Sequence, residues 1–193
     1  MMWPILACGV IALALVLERL SSLKRAGEGA QATITAVLDK VKRNQIKEAV
    51  QSCESSSLPV TRVLRAGILK YDRPRSQIKE ALEEASQYEI PRLEKNLPFL
   101  ATIAQVAPLL GLLGTAAGLA ACFYAVYASG ASAYSVPAAD LASGIWRSLM
   151  VTCSGLAVAI PAFTAYNYLV AKVNSLIQQM EQASTELVNS LSE

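Results

Sequence analysis

The side chains that could do chemistry in this sequence are hydroxyl groups set among small residues along two apolar segments. In each segment they recur at steps of three and four, which places them on one face of a helix. The first face carries Pro108, Gly111, Thr115, Gly118 and Cys122, with Gly114 opening a GxxxG pair, and the second carries Ser148, Thr152, Gly155 and Ala159. In a bilayer, helices associate through close contact at small residues and through hydrogen bonds between helices. Each face therefore predicts a neighbouring helix.

These two faces have two interpretations. They can simply hold a helical hairpin together, because small-residue stripes are common in membrane helices and a Thr hydroxyl can bond its own backbone one turn back. They can also line a narrow cavity between the two helices. The spacing taken alone favours the first interpretation and leaves the second open.

The segments that carry these faces are long enough to cross a membrane. About 20 apolar residues span the hydrocarbon core as a helix, and the sequence contains no Asp, Glu, Lys or Arg from Leu100 through Ala139. A second apolar segment runs from Leu141 to about Val170, and a shorter one from Met1 to Leu17. No strand pattern competes with these helices. The sequence predicts an all-α membrane protein with three transmembrane helices.

The distribution of charge predicts the orientation of these helices. Of the 17 Lys and Arg residues, 15 lie between Arg19 and Lys95, and cations favour the cytoplasmic side of a membrane. A secretory signal would carry its positive charge before the apolar core, so the first segment is expected to be retained, with its N-terminus outside and the C-terminus inside. The expected organisation is a first transmembrane helix at 1–18, a cytoplasmic helical loop at 19–97, a second transmembrane helix at 98–128, a periplasmic loop at 129–140, a third transmembrane helix at 141–171 and a cytoplasmic C-terminal helix at 172–193.

Within the cytoplasmic loop, the apolar spacing predicts three helices. They are expected over Ala30–Cys53, over Val60–Tyr71 and from Arg75 onward, separated by loop signals in Glu54–Pro59 and Asp72–Pro74. Pro91 and Pro98 are expected to bend or bound the third helix near the membrane.

Several functions are disfavoured by composition. The sequence has no His, and its four Cys residues show no metal-binding spacing. Glu80, Glu83 and Glu84 are interspersed with cations and suit an exposed helix face better than a carboxylate site. The net charge of +2 is small and the basic residues form no patch. We therefore expect no catalytic residues, no metal, no cofactor and no nucleic-acid partner.

Two longer motifs give a resemblance to a known family. The sequence LATIAQVAPLLGLLGTAAGL spans Leu100–Leu119, and GIWRSLMVTCSGLAVAIPAFTAYN spans Gly144–Asn167. Their order and spacing resemble the MotA/TolQ/ExbB proton-channel family, in particular the three-span ExbB/TolQ type. The resemblance covers the second and third spans well and the cytoplasmic loop loosely.

The resemblance implies a subunit of a motor complex in the bacterial inner membrane that uses the proton motive force to drive a partner protein. In such complexes about five copies of the multi-span chain surround single-span partners of the ExbD/TolR type, each with a membrane Asp. Thr115 and Thr152 match the pore-facing threonines of the family and are the candidate proton-path residues. Their neighbours Gly111, Gly114, Gly118, Ser148, Gly155 and Ala159 would line the pore or pack the helices. The alternative function is a passive membrane scaffold that anchors or assembles partner proteins.

One position departs from the family pattern. Where many relatives carry a carboxylate or Gln, this chain has Arg147. A charged Arg in a span is costly unless its side chain reaches the interface or pairs with an acid. Asp140 lies two turns toward the outside on a similar face and could be its partner. Arg147 is therefore either an outer-interface cation or an electropositive gate, and the first interpretation is favoured.

Overall fold

The computed structural model describes residues 2–27, 29–128 and 138–191, and within these ranges it contains helices and no strand. The helices are α1 (Met2–Gly27), α2 (Ala30–Lys42), α3 (Ile46–Ser55), α4 (Pro59–Ile68), α5 (Arg75–Glu94), α6 (Leu97–Ala128) and α7 (Ala138–Leu191). The prediction of an all-α protein is confirmed for this part of the chain. Most of the predicted periplasmic loop, residues 129–137, lies outside the described residues.

Three helical segments are long and apolar enough to cross a membrane. They lie within Trp3–Lys42, Arg75–Ala128 and Ala139–Leu191. Large apolar side chains on these helices are exposed, as expected of surfaces that face lipid. Examples are Trp3, Val10, Leu13, Leu109, Leu112, Trp146, Ile160 and Phe163. The chain is a multi-pass membrane protein with three candidate spans, as the sequence predicts, and its orientation stays a prediction.

Contacts divide the chain into two compact units. The first comprises Met1–Glu18 and Asn96–Tyr168, and the second comprises Arg19–Lys95 and Leu169–Glu193. The first unit therefore contains α6 with the N-terminal parts of α1 and α7. The second contains α2 to α5 with the C-terminal parts of α1 and α7, and α7 runs without interruption to Leu191.

The core of the second unit forms around α4, which contacts both α3 and α5. Val63, Leu64 and Ile68 are fully buried on this helix. Gly67 allows the close approach of two other helices, since a Cβ there would lie 2.7 Å from a methyl group of Leu82 and 3.0 Å from one of Leu187. The one-sided apolar pattern of these helices thus produces a compact helical core.

The predicted helix over Ala30–Cys53 is wrong in one respect, because the structure divides it into α2 and α3. Asn44 adopts the left-handed conformation with φ of 60°. The backbone N–H of Gln45 donates to the Lys40 carbonyl oxygen at 2.9 Å. This is the hydrogen bond of a Schellman motif, which typically ends a helix. Asn tolerates this backbone conformation better than most residues. The apolar periodicity continues across the break, so periodicity alone does not reveal it.

Pro91 does not end the third predicted helix, since α5 continues through it to Glu94. The chain breaks instead at Asn96, which has φ of 65°, and Pro98 lies in the first turn of α6. A proline in the first turn removes an N–H group that has no partner within the helix in any case. The predicted helix over Val60–Tyr71 is also shorter in the structure, where α4 covers Pro59–Ile68.

A buried carboxylate joins α4 to α5. The Glu89 side chain is 7% exposed and lies 3.2 Å from Arg62 Nη2 and 2.9 Å from Arg92 Nη1. We expect Glu89→Gln to lower the free energy of unfolding by about 1–2 kcal/mol, because the ion pair with Arg62 and the charge-assisted hydrogen bond from Arg92 are lost while both arginines can still reach water. Denaturant unfolding of the purified protein measures this change. Glu83→Gln is the matched control, since Glu83 is exposed and its ion pair with Lys79 spans 3.5 Å; an equal loss in both variants would contradict the assignment.

Cys53 is buried in the same unit. Burial raises the pKa of its thiol from 9.0 to about 11, although the Arg65 guanidinium opposes part of this rise. The unfolded chain releases the thiol proton at lower pH than the folded chain. The stability that the buried, protonated thiol contributes is therefore present below about pH 9 and is lost as pH rises toward 11. We expect the stability difference between wild type and Cys53→Ala to narrow over that interval. A difference that stays constant in unfolding measurements from pH 8 to about pH 11 would contradict this.

Candidate functional site

Within the first unit, α6 and α7 approach each other closely at two glycines. A Cβ on Gly155 would lie 2.8 Å from the Ala107 carbonyl oxygen and 3.0 Å from the Gly111 Cα. A Cβ on Gly111 would lie 3.2 Å from the Thr152 Cα. These neighbours are backbone atoms, which cannot rotate away as a side chain can. The small residues predicted from the sequence therefore do bring these two helices into backbone contact.

The closest polar contact at this crossing joins Thr115 and Thr152, whose hydroxyl groups form a hydrogen bond. The Thr115 hydroxyl also lies 3.2 Å from the Ser148 carbonyl oxygen on α7. The Thr152 hydroxyl lies 3.2 Å from the Gly111 carbonyl oxygen on α6. Each threonine thus reaches a carbonyl group of the opposite helix. We call these four oxygens, Thr115 Oγ1, Thr152 Oγ1, Gly111 O and Ser148 O, the threonine cluster.

The other predicted residues lie along the same contact. The Ser148 side chain is buried, and its Oγ donates to the Gly144 carbonyl oxygen at 2.9 Å. A Cβ at Gly118 would overlap the Ser148 hydroxyl. Gly114 and Ala159 are also buried on their helices. In the isolated chain these residues pack α6 against α7, and whether they also line a pore stays a prediction.

Arg147 and Asp140 lie near the start of α7, and both are exposed. Among the described ion pairs none joins these two side chains. The backbone carbonyl oxygen of Asp140 accepts a hydrogen bond from the Ser143 hydroxyl at 2.8 Å. Arg147 lies five positions before Thr152, which places it on a different face of the helix from the threonine cluster. Its proposed role as a gate therefore receives no support from the geometry within one chain.

Two further contacts involve glycines that the predicted small-residue faces did not include, Gly144 on α7 and Gly9 on α1. A Cβ at Gly144 would lie 2.6 Å from the Cys122 sulfur, so the contact between α6 and α7 extends one turn beyond Ser148. A Cβ at Gly9 on α1 would lie 3.2 Å from a methyl group of Val158. The signal for the first contact is the four-residue step from Ser148 back to Gly144. Nothing in the sequence of α1 distinguishes Gly9 as a contact.

The threonine cluster can exchange hydrogen bonds but cannot itself gain or lose a proton near neutral pH. Its polar groups are two hydroxyls and two backbone carbonyls. The segments Leu100–Ala128 and Leu141–Val170 contain no Asp, Glu, Lys or His. A group that titrates beside the cluster must therefore come from elsewhere.

Comparison with known proteins identifies the family. A model of the MotA/TolQ/ExbB proton channel family matches residues 55–182, a range that includes α4 to α6 and most of α7. The chain belongs to the MotA/TolQ/ExbB proton channel family. The resemblance of its second and third spans to that family is thereby confirmed.

Individual members of the MotA/TolQ/ExbB family are also similar to this chain in sequence. The chain is 42% identical over 110 residues to the Tol-Pal system protein TolQ of Haemophilus influenzae, covering 55% of this chain and 46% of TolQ. It is 35% identical over 127 residues to the biopolymer transport protein ExbB of Aquifex aeolicus, covering 66% of this chain and 82% of that protein. An ExbB homologue of Methanothermobacter thermautotrophicus is 30% identical over 178 residues, covering 92% of this chain and 62% of the relative. The chain thus spans about half to three fifths of the length of two of these relatives.

Proposed function

We propose that this chain is the proton-channel subunit of a membrane motor complex that uses the proton motive force to drive a partner protein. The observation that carries the proposal is the contact between the Thr115 and Thr152 hydroxyls in the middle of two apolar helices. The family, whose members include TolQ and ExbB proteins, supports the same function. Polar groups at such depth are costly and usually functional.

In this proposal the threonine cluster is the part of the proton path that this chain supplies. Thr hydroxyls donate and accept hydrogen bonds, so they can hold a water molecule or a carboxyl group in place while its proton is exchanged. Because the two segments contain no acid of their own, the titrating carboxylate comes from a single-span partner of the ExbD/TolR type with an Asp in its membrane helix. About five copies of this chain would surround the partner helices.

The orientation and location follow from the same proposal. The N-terminus lies outside and the C-terminus inside the bacterial inner membrane, and the second compact unit is cytoplasmic, because it contains all the Lys and Arg residues except Arg147. Arg147 then lies toward the outer interface, where its side chain can reach water or pair with Asp140. This chain would act as a transport subunit rather than as an enzyme.

A passive scaffold that anchors partner proteins is the second candidate function, and the buried glycine contacts between α6 and α7 suit it equally well. The two functions differ in their response to the proton gradient. Disulfide trapping between single cysteines in this chain and in the co-purified single-span partner tests them in membrane vesicles. A motor predicts that the trapped pairs change when an uncoupler collapses the gradient, and a scaffold predicts an unchanged set.

A further inference from the structure

Two lysines of neighbouring helices lie close together in the second unit, just beyond the apolar segments. A Cβ on Gly27 of α1 would lie 3.7 Å from Lys172 Cε and 3.8 Å from Lys172 Nζ, so the Lys172 side chain of α7 extends across this glycine. Lys24 precedes Gly27 by three residues, a step that places two Cβ positions about 5–6 Å apart on one helix face. The Lys24 Cβ and the Lys172 Nζ therefore lie within about 10 Å of each other.

The Lys24 and Lys172 side chains are both exposed. Within residues 2–27, 29–128 and 138–191, neither takes part in an ion pair or a side-chain hydrogen bond. Other cations of the same unit are paired with acids, as Lys42 is with Glu186. Two ammonium groups at close range repel each other, and an anion bound between them would remove this repulsion.

Both lysines lie near the level of phospholipid headgroups, which extend about 5–8 Å beyond each side of the hydrocarbon core. Lys24 follows Leu17 by seven residues, about 10 Å along a helix, and Lys172 follows Val170 by two. Both helices leave their apolar segments in the C-terminal direction, and the Cα–Cβ bonds of a helix tilt toward its N-terminus. The two side chains are thus directed back toward the membrane surface.

From this arrangement we infer that Lys24 and Lys172 together bind the phosphate group of an anionic phospholipid. Each ammonium group supplies three N–H donors for phosphate oxygens. The acyl chains have an apolar surface to follow, because Val10, Leu13 and Leu17 are exposed on α1 and share the face of Lys24 by steps of three, four and seven. Basic pockets between transmembrane helices bind such headgroups. The inference goes beyond the proposed function and does not require proton conduction.

The end of α1 offers a simpler role for only one of these lysines. Lys24 and Arg25 lie in the last turn of α1, where cations are favoured by the helix dipole. Lys172 lies inside α7, which continues to Leu191, so a helix end does not account for its position across Gly27. A soluble anion such as inorganic phosphate could accept the same hydrogen bonds, but it would make no use of the apolar face of α1.

The test uses the purified full-length chain in detergent micelles and a phosphatidylglycerol that carries a fluorophore on one acyl chain. Binding is measured by fluorescence anisotropy, with unlabelled phosphatidylglycerol, phosphatidylcholine and inorganic phosphate as competitors. We expect phosphatidylglycerol to compete at least about fivefold better than phosphatidylcholine, because the choline group cancels the phosphate charge. Inorganic phosphate at the same concentration should not compete, because it has no acyl chain to bury.

Lys24→Gln and Lys172→Gln should each weaken phosphatidylglycerol binding about fivefold, and the double variant about 30-fold, the effect expected of one and two cations beside an anionic headgroup. The matched control is the double variant Arg43→Gln, Lys47→Gln, which removes the same charge from exposed positions elsewhere in this unit. It should bind as wild type. Circular dichroism should show the wild-type helix content in every variant, because all the substituted side chains are exposed.

Equal competition by phosphatidylglycerol and phosphatidylcholine would overturn the inference. Wild-type affinity in the Lys24→Gln, Lys172→Gln double variant would also overturn it, as would an equal loss in the control. Competition by inorganic phosphate at equal concentration would assign the lysines to a soluble anion and so contradict a lipid site. The assay involves neither proton flux nor a partner chain, so its outcome is independent of the proposed function.

Discussion

Thr152→Val is expected to lower proton flux through the proposed complex of this chain with a single-span partner by about 10- to 100-fold. The hydroxyl of Thr152 bonds both Thr115 and the Gly111 carbonyl oxygen, and Val keeps a similar side-chain shape without the polar group. Loss of one or two hydrogen bonds of about 1–1.5 kcal/mol each would raise the barrier to proton transfer by that factor. A pH-sensitive dye inside liposomes that contain the purified complex measures the flux.

Two further variants test whether the loss of flux is due to the hydroxyl group and whether it is specific to position 152. Thr152→Ser keeps the hydroxyl and should retain most of the flux. Thr164→Val removes an exposed hydroxyl on the same helix and should leave the flux unchanged. The complex should remain assembled in all three variants, as judged by its mass in detergent. Wild-type flux in Thr152→Val would show that this residue is no part of the path.

Gly155→Ala is expected to destabilise the first unit by about 1–3 kcal/mol or more, the usual cost of adding volume to a closely packed site. The new methyl group would lie 2.8 Å from the Ala107 carbonyl oxygen, so the backbones of α6 and α7 would have to separate. That separation would also disrupt the bonds between Thr115 and Thr152. This single methyl group should therefore lower both the stability measured by denaturant unfolding and the proton flux.

The control for this variant is Ala157→Leu, two residues along α7 at an exposed position. It adds more volume than Gly155→Ala but should face lipid, so stability and flux should change little. Equal effects of the two substitutions would show that the close approach of the helices at Gly155 is not maintained in the membrane.

The helical architecture could largely be predicted from sequence because its signals are strong and local. The apolar segments around Leu100–Ala128 and Leu141–Val170 have the length of a membrane span, and the mixed-charge helices of the second unit keep one apolar face. The break at Asn44 could not be predicted in this way. It depends on a left-handed backbone conformation that Asn adopts only in some contexts, while the apolar periodicity continues across it.

The candidate site could be predicted in part. The steps of three and four placed Thr115 on the face of α6 that meets Thr152 on α7, and the resemblance singled out these two threonines. The hydrogen bonds from the two threonine hydroxyls to the Gly111 and Ser148 carbonyl oxygens depend on how far α6 is shifted along its axis relative to α7. The spacing of residues within one helix does not specify this shift. The same limit applies to the contact between Gly144 and Cys122. Pairing between helices is a tertiary property, and only its small-residue signature is local.

The position of Arg147 on α7 bears on the two interpretations that the sequence offers for it. As a departure from the family pattern beside the candidate path, it could be a gate or an interface cation. The five-residue step to Thr152 turns its side chain to another face of α7, and its exposed position suits a side chain that reaches the outer interface or a neighbouring chain.

We expect this chain to conduct protons only together with a carboxylate supplied by another chain. The most direct measurement is proton flux into liposomes that contain this chain alone, this chain with its single-span partner, or this chain with a partner in which the membrane Asp is replaced by Asn. Flux is expected for the intact complex, and only background flux for the other two samples. Equal flux from the chain alone, or from the complex with the Asn partner, would show that the carboxylate of another chain is not required.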